Sequence, residues 1–156
     1  MQAEDQGKNK SEINDFNGKV VEIHSGDSVT VERDNDFETV RVFLATVKAP
    51  VLNKKENEEA DPYAWESKET LRKMAIGKKV RVEMEYAKTT QAGLTMNFAT
   101  IFMQKNNKSL SVNLLEKGLL ATNVMKNGEN ASKYLEDLLA AEKKASVGKQ
   151  GIHSNQ

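Results

Sequence analysis

The chain has 156 residues, 38% of them hydrophobic, enough for one domain that buries more than half of its unfolded surface. Lys and Arg number 23, as do Asp and Glu, so there is no bulk attraction to nucleic acid or membrane and any basic surface must be a local patch. The absence of cysteine excludes disulfides, thiolate nucleophiles and thiolate metal sites and points to an intracellular setting, and no apolar run is long enough to cross a membrane.

Residues 1–16 lack the apolar core of a signal peptide and read as a disordered lead-in or linker, which leaves 17–154 for the folded domain. From Gly18 the apolar residues alternate, with Val21 and Ile23 on one face, a tight Ser25-Gly26-Asp27 turn, and then Val29 and Val31. Arg33-Asp34-Asn35-Asp36 is a second turn, after which Val40, Val42 and Leu44 resume the alternation and Arg41 points the other way. Residues 48–60 are polar and form a loop; Asp61 then caps a helix over 62–76, with Pro62 at the first position, where no amide hydrogen bond is lost. Gly77 suits the position just past that helix, and Val80, Val82 and Met84 mark a fourth strand.

After the loop 88–93 a fifth strand runs over 94–103, followed by an Asn106-Asn107 turn and a short helix over 112–117 that stops at Gly118. The last helix is expected from near Asn130 to before Gly148, with Tyr134, Leu138, Ala141 and Ala145 as its apolar stripe and Leu135 and Leu139 widening it. Five strands with helices inserted predict an α+β domain built on a five-stranded barrel of the oligonucleotide/oligosaccharide-binding (OB) kind, with three helices outside.

The Gly-Asp turn, a single arginine on the third strand, the helix segment DPYAWESKETLRKMAIGKK and the later LLEKGLLA together resemble the staphylococcal nuclease family over most of the folded part. Within it the wording is most similar to the repeated nuclease-like domains of the Tudor-SN type, and the C-terminal segment to their third repeat. The resemblance implies calcium-assisted phosphodiester hydrolysis in active members: two aspartates hold the metal, a glutamate handles the attacking water, and two arginines stabilise charge on phosphorus.

Carried over residue by residue, the first aspartate falls on Asp27 and the first arginine on Arg41. The second aspartate falls on Thr46, the glutamate on Ala49 (or on Val51 if Pro50 is aligned with the family proline), and the second arginine on Met96. The segment after Gly118-Leu119-Leu120-Ala121 also lacks the tyrosines that flank a bound nucleotide in the bacterial enzyme. Losing one stabilising donor alone costs about 10²–10³ in rate, so the loss of base, ligand and clamp together predicts no catalysis by this route and no calcium.

Asp27 then reads as a turn residue, with an ion pair to Arg41 expected and a residual anion site as a lesser role. His24 and His153 lack a ligand set and suit surface or capping roles, Trp65 reads as an anchor of the first helix on the barrel rather than a platform for a base, and Glu56-Asn57-Glu58-Glu59 as a solvated loop. Lys68, Arg72, Lys73, Lys78, Lys79 and Arg81, with Glu69 the only acid among them, would contact a phosphate backbone if they share a face, and would otherwise be an ordinary solvated surface. The resemblance implies a catalytically degenerate RNA-binding and scaffold module. Its partners would be RNA, neighbouring repeats, and ribonucleoprotein or transcription complexes in cytoplasm and nucleus, with roles in RNA silencing, transcription coactivation and RNA decay. A protein-interaction scaffold without RNA affinity and a residual calcium-dependent ribonuclease are the alternatives.

Overall fold

A computed structural model describes residues 13–56, 58–125 and 131–154. Its barrel strands are β1 (Phe16–Ser25), β2 (Ser28–Arg33), β3 (Thr39–Leu44), β5 (Lys79–Thr89) and β6 (Thr95–Met103). They close in the order β1-β2-β3-β6-β5, the closed five-stranded barrel that the strand count predicts. Neighbours are antiparallel except at the seam, where β3 and β6 run parallel and pair only at Phe43 with Phe98 and Leu44 with Ala99. Val20, Val29, Val31, Val42, Leu44, Val80, Val82, Ala99 and Ile101 fill the interior, each at most 1% exposed. Their β-branched and aliphatic side chains favour strands and bury the apolar surface that drives folding.

The alternation in β1 departs from expectation. A bulge between Val20 and Glu22 puts two residues opposite one on β2, so Val20 faces the core and Val21 is left 40% exposed. Phe16, assigned to the lead-in from the sequence, already pairs with Val82 in β5. Asp15 just ahead of it is tied down too, since its carboxylate accepts the Met84 amide at 2.8 Å.

Helix α1 (Ala64–Ala75) starts two residues later than its sequence suggests. Asp61 does not cap it: its carboxylate accepts the Val51 amide at 2.8 Å and pairs with Lys54 at 2.6 Å, closing the neck of the 51–61 loop, while Tyr63 turns left-handed (φ 68°) to begin the helix. Gly77, at φ 75°, ends it as expected, and its amide bonds to the Val20 carbonyl at 2.8 Å. Buried Leu71 and Ala75 face the barrel.

Helix α2 (Leu110–Glu116) begins before the expected Val112, because the Ser109 hydroxyl caps it by accepting the Val112 amide at 3.2 Å. Helix α3 (Leu135–Val147) begins after the expected start near Asn130, a residue outside those described. Ser132 and Lys133 instead lie against β5, where the Ser132 hydroxyl (2.7 Å) and the Lys133 amide (3.0 Å) donate to the Glu85 carboxylate. Leu138, Ala141 and Ala145 are the buried stripe of α3, whereas Leu139 is 44% exposed and Tyr134 precedes the helix, its ring edge-on to Phe102. Two-residue strands β4 (Val47–Lys48) and β7 (Ala121–Thr122) pair outside the barrel; they are too short for periodicity to reveal.

Candidate nucleic-acid interface

The β1–β2 turn passes beneath α1: a Cβ on Gly26 would stand 1.9 Å from Ser67 Oγ, so only glycine lets the turn approach this closely. That approach fixes Asp27. Ser25 Oγ donates to Asp27 Oδ1 at 2.6 Å, the Ala49 amide donates to Oδ2 at 3.0 Å, and the Asp27 carbonyl accepts the Leu44 amide at 2.8 Å. One carboxylate oxygen therefore braces the turn internally, through Ser25, and the other ties it to the segment after β4.

Arg41 does not form the expected ion pair with Asp27. The β2–β3 register sets it opposite Thr30, so its Nε donates to Ser28 Oγ at 3.1 Å and its guanidinium lies over the Phe43 ring at 5.1 Å. His24 is half-buried with Nε2 2.7 Å from Thr30 Oγ1. Burial and then the charge of Arg41 hold it below the usual histidine range, Glu22 opposing and Lys68 adding to the fall.

The positions to which the resemblance would carry the family's second aspartate, glutamate and second arginine have other structural roles. Thr46, 2% exposed with φ 63°, is a structural joint. Its amide donates to Tyr86 Oη at 3.0 Å, its Oγ1 accepts the Ser132 amide at 2.9 Å, and its carbonyl accepts the Asn123 amide at 2.8 Å. Ala49 is buried, Val51 sits in the loop neck, and Met96 lies opposite Lys88 in the β5–β6 ladder. Among the described residues no three His, Cys, Asp or Glu side chains gather as a metal site would require. One carboxylate with both oxygens engaged and a buried hydroxyl do not fit calcium, which takes about 6–8 oxygens.

Other side chains are placed differently from their sequence readings. Trp65 is 61% exposed and anchors nothing in the core, whereas His153 is buried in a short 3₁₀ turn, Gly151–His153. Glu56, Glu58 and Glu59 are exposed, and residue 57 lies outside the described residues.

The six cations singled out from sequence do not share one face. Helix α1 runs against β1 with Ser67 over Gly26 and its C-terminal end beside Val20, so Lys68 lies near His24 while Lys78 lies beside Val20, midway along the strand. Arg72 is held by Glu69, with Nε 3.0 Å from Oε1, and Lys73 is exposed. Arg81 pairs with Glu83, donates to Asn107 at 2.8 Å and stacks over Phe102 at 4.3 Å. Lys79 pairs with Asp34.

Lys78 and Lys79 are instead brought together with Lys105, Gln104 and Asn106 around a pocket of about 520 Å³ whose floor is Met74 and Met103. Lys105 belongs to the β6–α2 turn, and no spacing in the sequence links it to Lys78. The Gln104 amide bonded to the Lys79 carbonyl at 3.1 Å makes the connection.

Residues 41–155 match the model of the family described as "Staphylococcal nuclease homologue". "Ribonuclease TUDOR 2" of Arabidopsis thaliana is 32% identical over 168 residues, covering 89% of this chain and 17% of that protein. "Ribonuclease TUDOR 1" of the same plant is 34% identical over 177 residues, covering 89% and 18%. "Staphylococcal nuclease domain-containing protein 1" of Schizosaccharomyces pombe is 27% identical over 148 residues, covering 94% and 16%. The chain thus spans under a fifth of the length of these relatives.

Proposed function

The chain belongs to the staphylococcal nuclease homologues, as a nuclease-like domain of the Tudor-SN type, and we propose that it binds RNA without cleaving it. The observation that carries this reading is Thr46: at the position to which the resemblance assigns a metal-binding aspartate, a buried hydroxyl is taken up by Tyr86 and the Ser132 amide. Asp27, the retained acid, is likewise occupied by Ser25 and Ala49.

RNA contact through backbone phosphates is supported by the family and by the lysines around the Met74–Met103 floor. The plant relatives are named ribonucleases, and in this proposal any cleavage by the parent protein belongs to other parts of it. The domain serves as a repeat, in position most like the third, within a scaffold for ribonucleoprotein or transcription complexes of the cytoplasm and nucleus. There it contributes to RNA silencing, coactivation and decay. Exposed Trp65 favours a second role, docking of a neighbouring repeat.

The test is retention and integrity of labelled single- and double-stranded RNA over a salt series, with calcium or with chelator. The expected result is binding that weakens steeply with salt, is equal with and without calcium, and leaves the RNA intact. Calcium-dependent cleavage lost in Asp27→Ala would make the domain an enzyme, and no retention at low salt would remove RNA as its ligand.

A further inference from the structure

We propose that the pocket walled by Lys78, Lys79 and Lys105, beside Lys19 and Val20 of β1 and away from Asp27, grips the phosphate backbone of a single RNA strand. The proposal rests on the RNA-binding reading above and narrows it to one place.

The backbone around the pocket is fastened on every side. The Lys78 carbonyl accepts the Val20 amide at 3.1 Å, the Lys78 amide donates to Ala75 at 2.9 Å, and the Lys79 carbonyl accepts the Gln104 amide at 3.1 Å. Lys105 sits in a turn closed by the Asn107 amide on the Met103 carbonyl at 2.7 Å and the Met103 amide on the Lys108 carbonyl at 2.9 Å. Three cationic side chains from α1's end, β5 and the β6–α2 turn are thus held around one hollow.

Their charge is also less neutralised than that of the arginines. Arg33, Arg72 and Arg81 each pair with a carboxylate two or three residues away, whereas Lys78 and Lys105 take part in no ion pair among the described residues. Lys79 is held by Asp34, an exposed pair that a phosphate would displace at little cost. The floor of Met74 and Met103 is apolar and adaptable, suited to a ribose or the edge of a base between two phosphates. A flexible strand can bend so that successive phosphates meet the three lysines, whereas a rigid duplex holds its phosphates at fixed spacing.

The test uses anisotropy of a fluorescein-labelled oligouridylate with the whole chain, over roughly 50–200 mM KCl. Lys78→Gln/Lys105→Gln is expected to weaken binding about tenfold at the low end and to reduce the slope of log K against log salt by about 1.4, near 0.7 per lost phosphate contact. Lys68→Gln/Lys73→Gln removes the same charge from α1 and is expected to stay within about twofold of wild type. Asp34→Asn, which releases Lys79, is expected to tighten binding by about threefold. Equal weakening in both double variants would show that net charge alone matters and would overturn the pocket. Equal competition by an RNA duplex would overturn the single-strand assignment, and competition by inorganic phosphate at micromolar concentration would make this a small-anion site instead. If wild type binds no RNA at low salt, the RNA-binding reading fails, and the pocket proposal fails with it.

Discussion

Tyr86→Phe removes one oxygen atom from the protein, and the structure says what that atom does. Tyr86 Oη accepts the Thr46 amide at 3.0 Å and lies 3.3 Å from Thr46 Oγ1, at a residue 2% exposed. Phenylalanine keeps the ring stacked on Phe98, whose centroid is 4.8 Å away, so the hydrophobic contribution is nearly unchanged. What is lost is the acceptor for a buried N–H, a penalty of about 1–3 kcal/mol. Thr46 is also β-branched and sits at φ 63°, a conformation that persists only because its surroundings impose it. A central expectation of about 2 kcal/mol corresponds to a melting temperature lower by about 4–8 °C for a chain of this size. Urea unfolding followed by tryptophan fluorescence and by circular dichroism should show the midpoint shifted and the slope unaltered. A change smaller than about 0.5 kcal/mol would refute the view that this bond holds Thr46 in place. RNA affinity of a folded Tyr86→Phe protein should match wild type, because the residue lies outside the lysine pocket.

Three further outcomes follow from particular contacts. Burial alone would raise Glu83, but bonds from Tyr134, Lys133 and Arg81 outweigh it and hold the carboxyl at about 2, so the stabilisation is fully present above pH 4.5 and is lost as pH falls toward 2. Melts at pH 6 and 3 should show wild type losing about 1–2 kcal/mol more than Glu83→Gln, allowing for solvent screening, and equal losses would contradict the network. Gly26→Ala puts a methyl 1.9 Å from Ser67 Oγ and should cost about 1–3 kcal/mol, part of it recovered by adding Ser67→Ala, both read by urea denaturation. Thr46→Asp should lower the melting temperature, with no recovery on adding calcium, because the carboxylate would enter a closed hydrogen-bonded site; calcium-dependent recovery would show a metal site there after all.

Much of the barrel could be read from the chain because its inward positions are β-branched or aliphatic and alternate over several residues, as in Val29 and Val31 or Val80 and Val82. Val21 misled because a bulge carries no mark in residue type; it shows only in the pairing of Glu22 with Thr30. Asp61 followed by proline has the chemistry of a cap, yet the nearby Lys54 and Val51 amide compete for its carboxylate, and the tertiary contact wins over the local signal. Thr46, Ala49 and Met96 could be singled out from sequence, as the positions to which the resemblance carries nuclease residues. Their partners could not, since Tyr86, Ser132 and Asn123 reach Thr46 only through the fold. For the same reason a linear run of cations suggested one patch, where the structure divides them and adds Lys105.

The seam between β3 and β6 bears on how the barrel is made. Every other strand joins its neighbour through an antiparallel ladder of four pairs or more, but here only Phe43–Phe98 and Leu44–Ala99 meet. The two strands are separated by a loop, a helix and a full strand, so their meeting must wait for long-range chain closure, and it gains few backbone bonds when it comes. The rings of Arg41's neighbour Phe43, Phe98 and Tyr86, 5.6 and 4.8 Å apart, act as a clasp across that gap. A late-forming closure held by aromatic contact is also the first place for the sheet to open, and amide exchange at the seam should proceed through local opening while Val31 and Val82 exchange only on global unfolding.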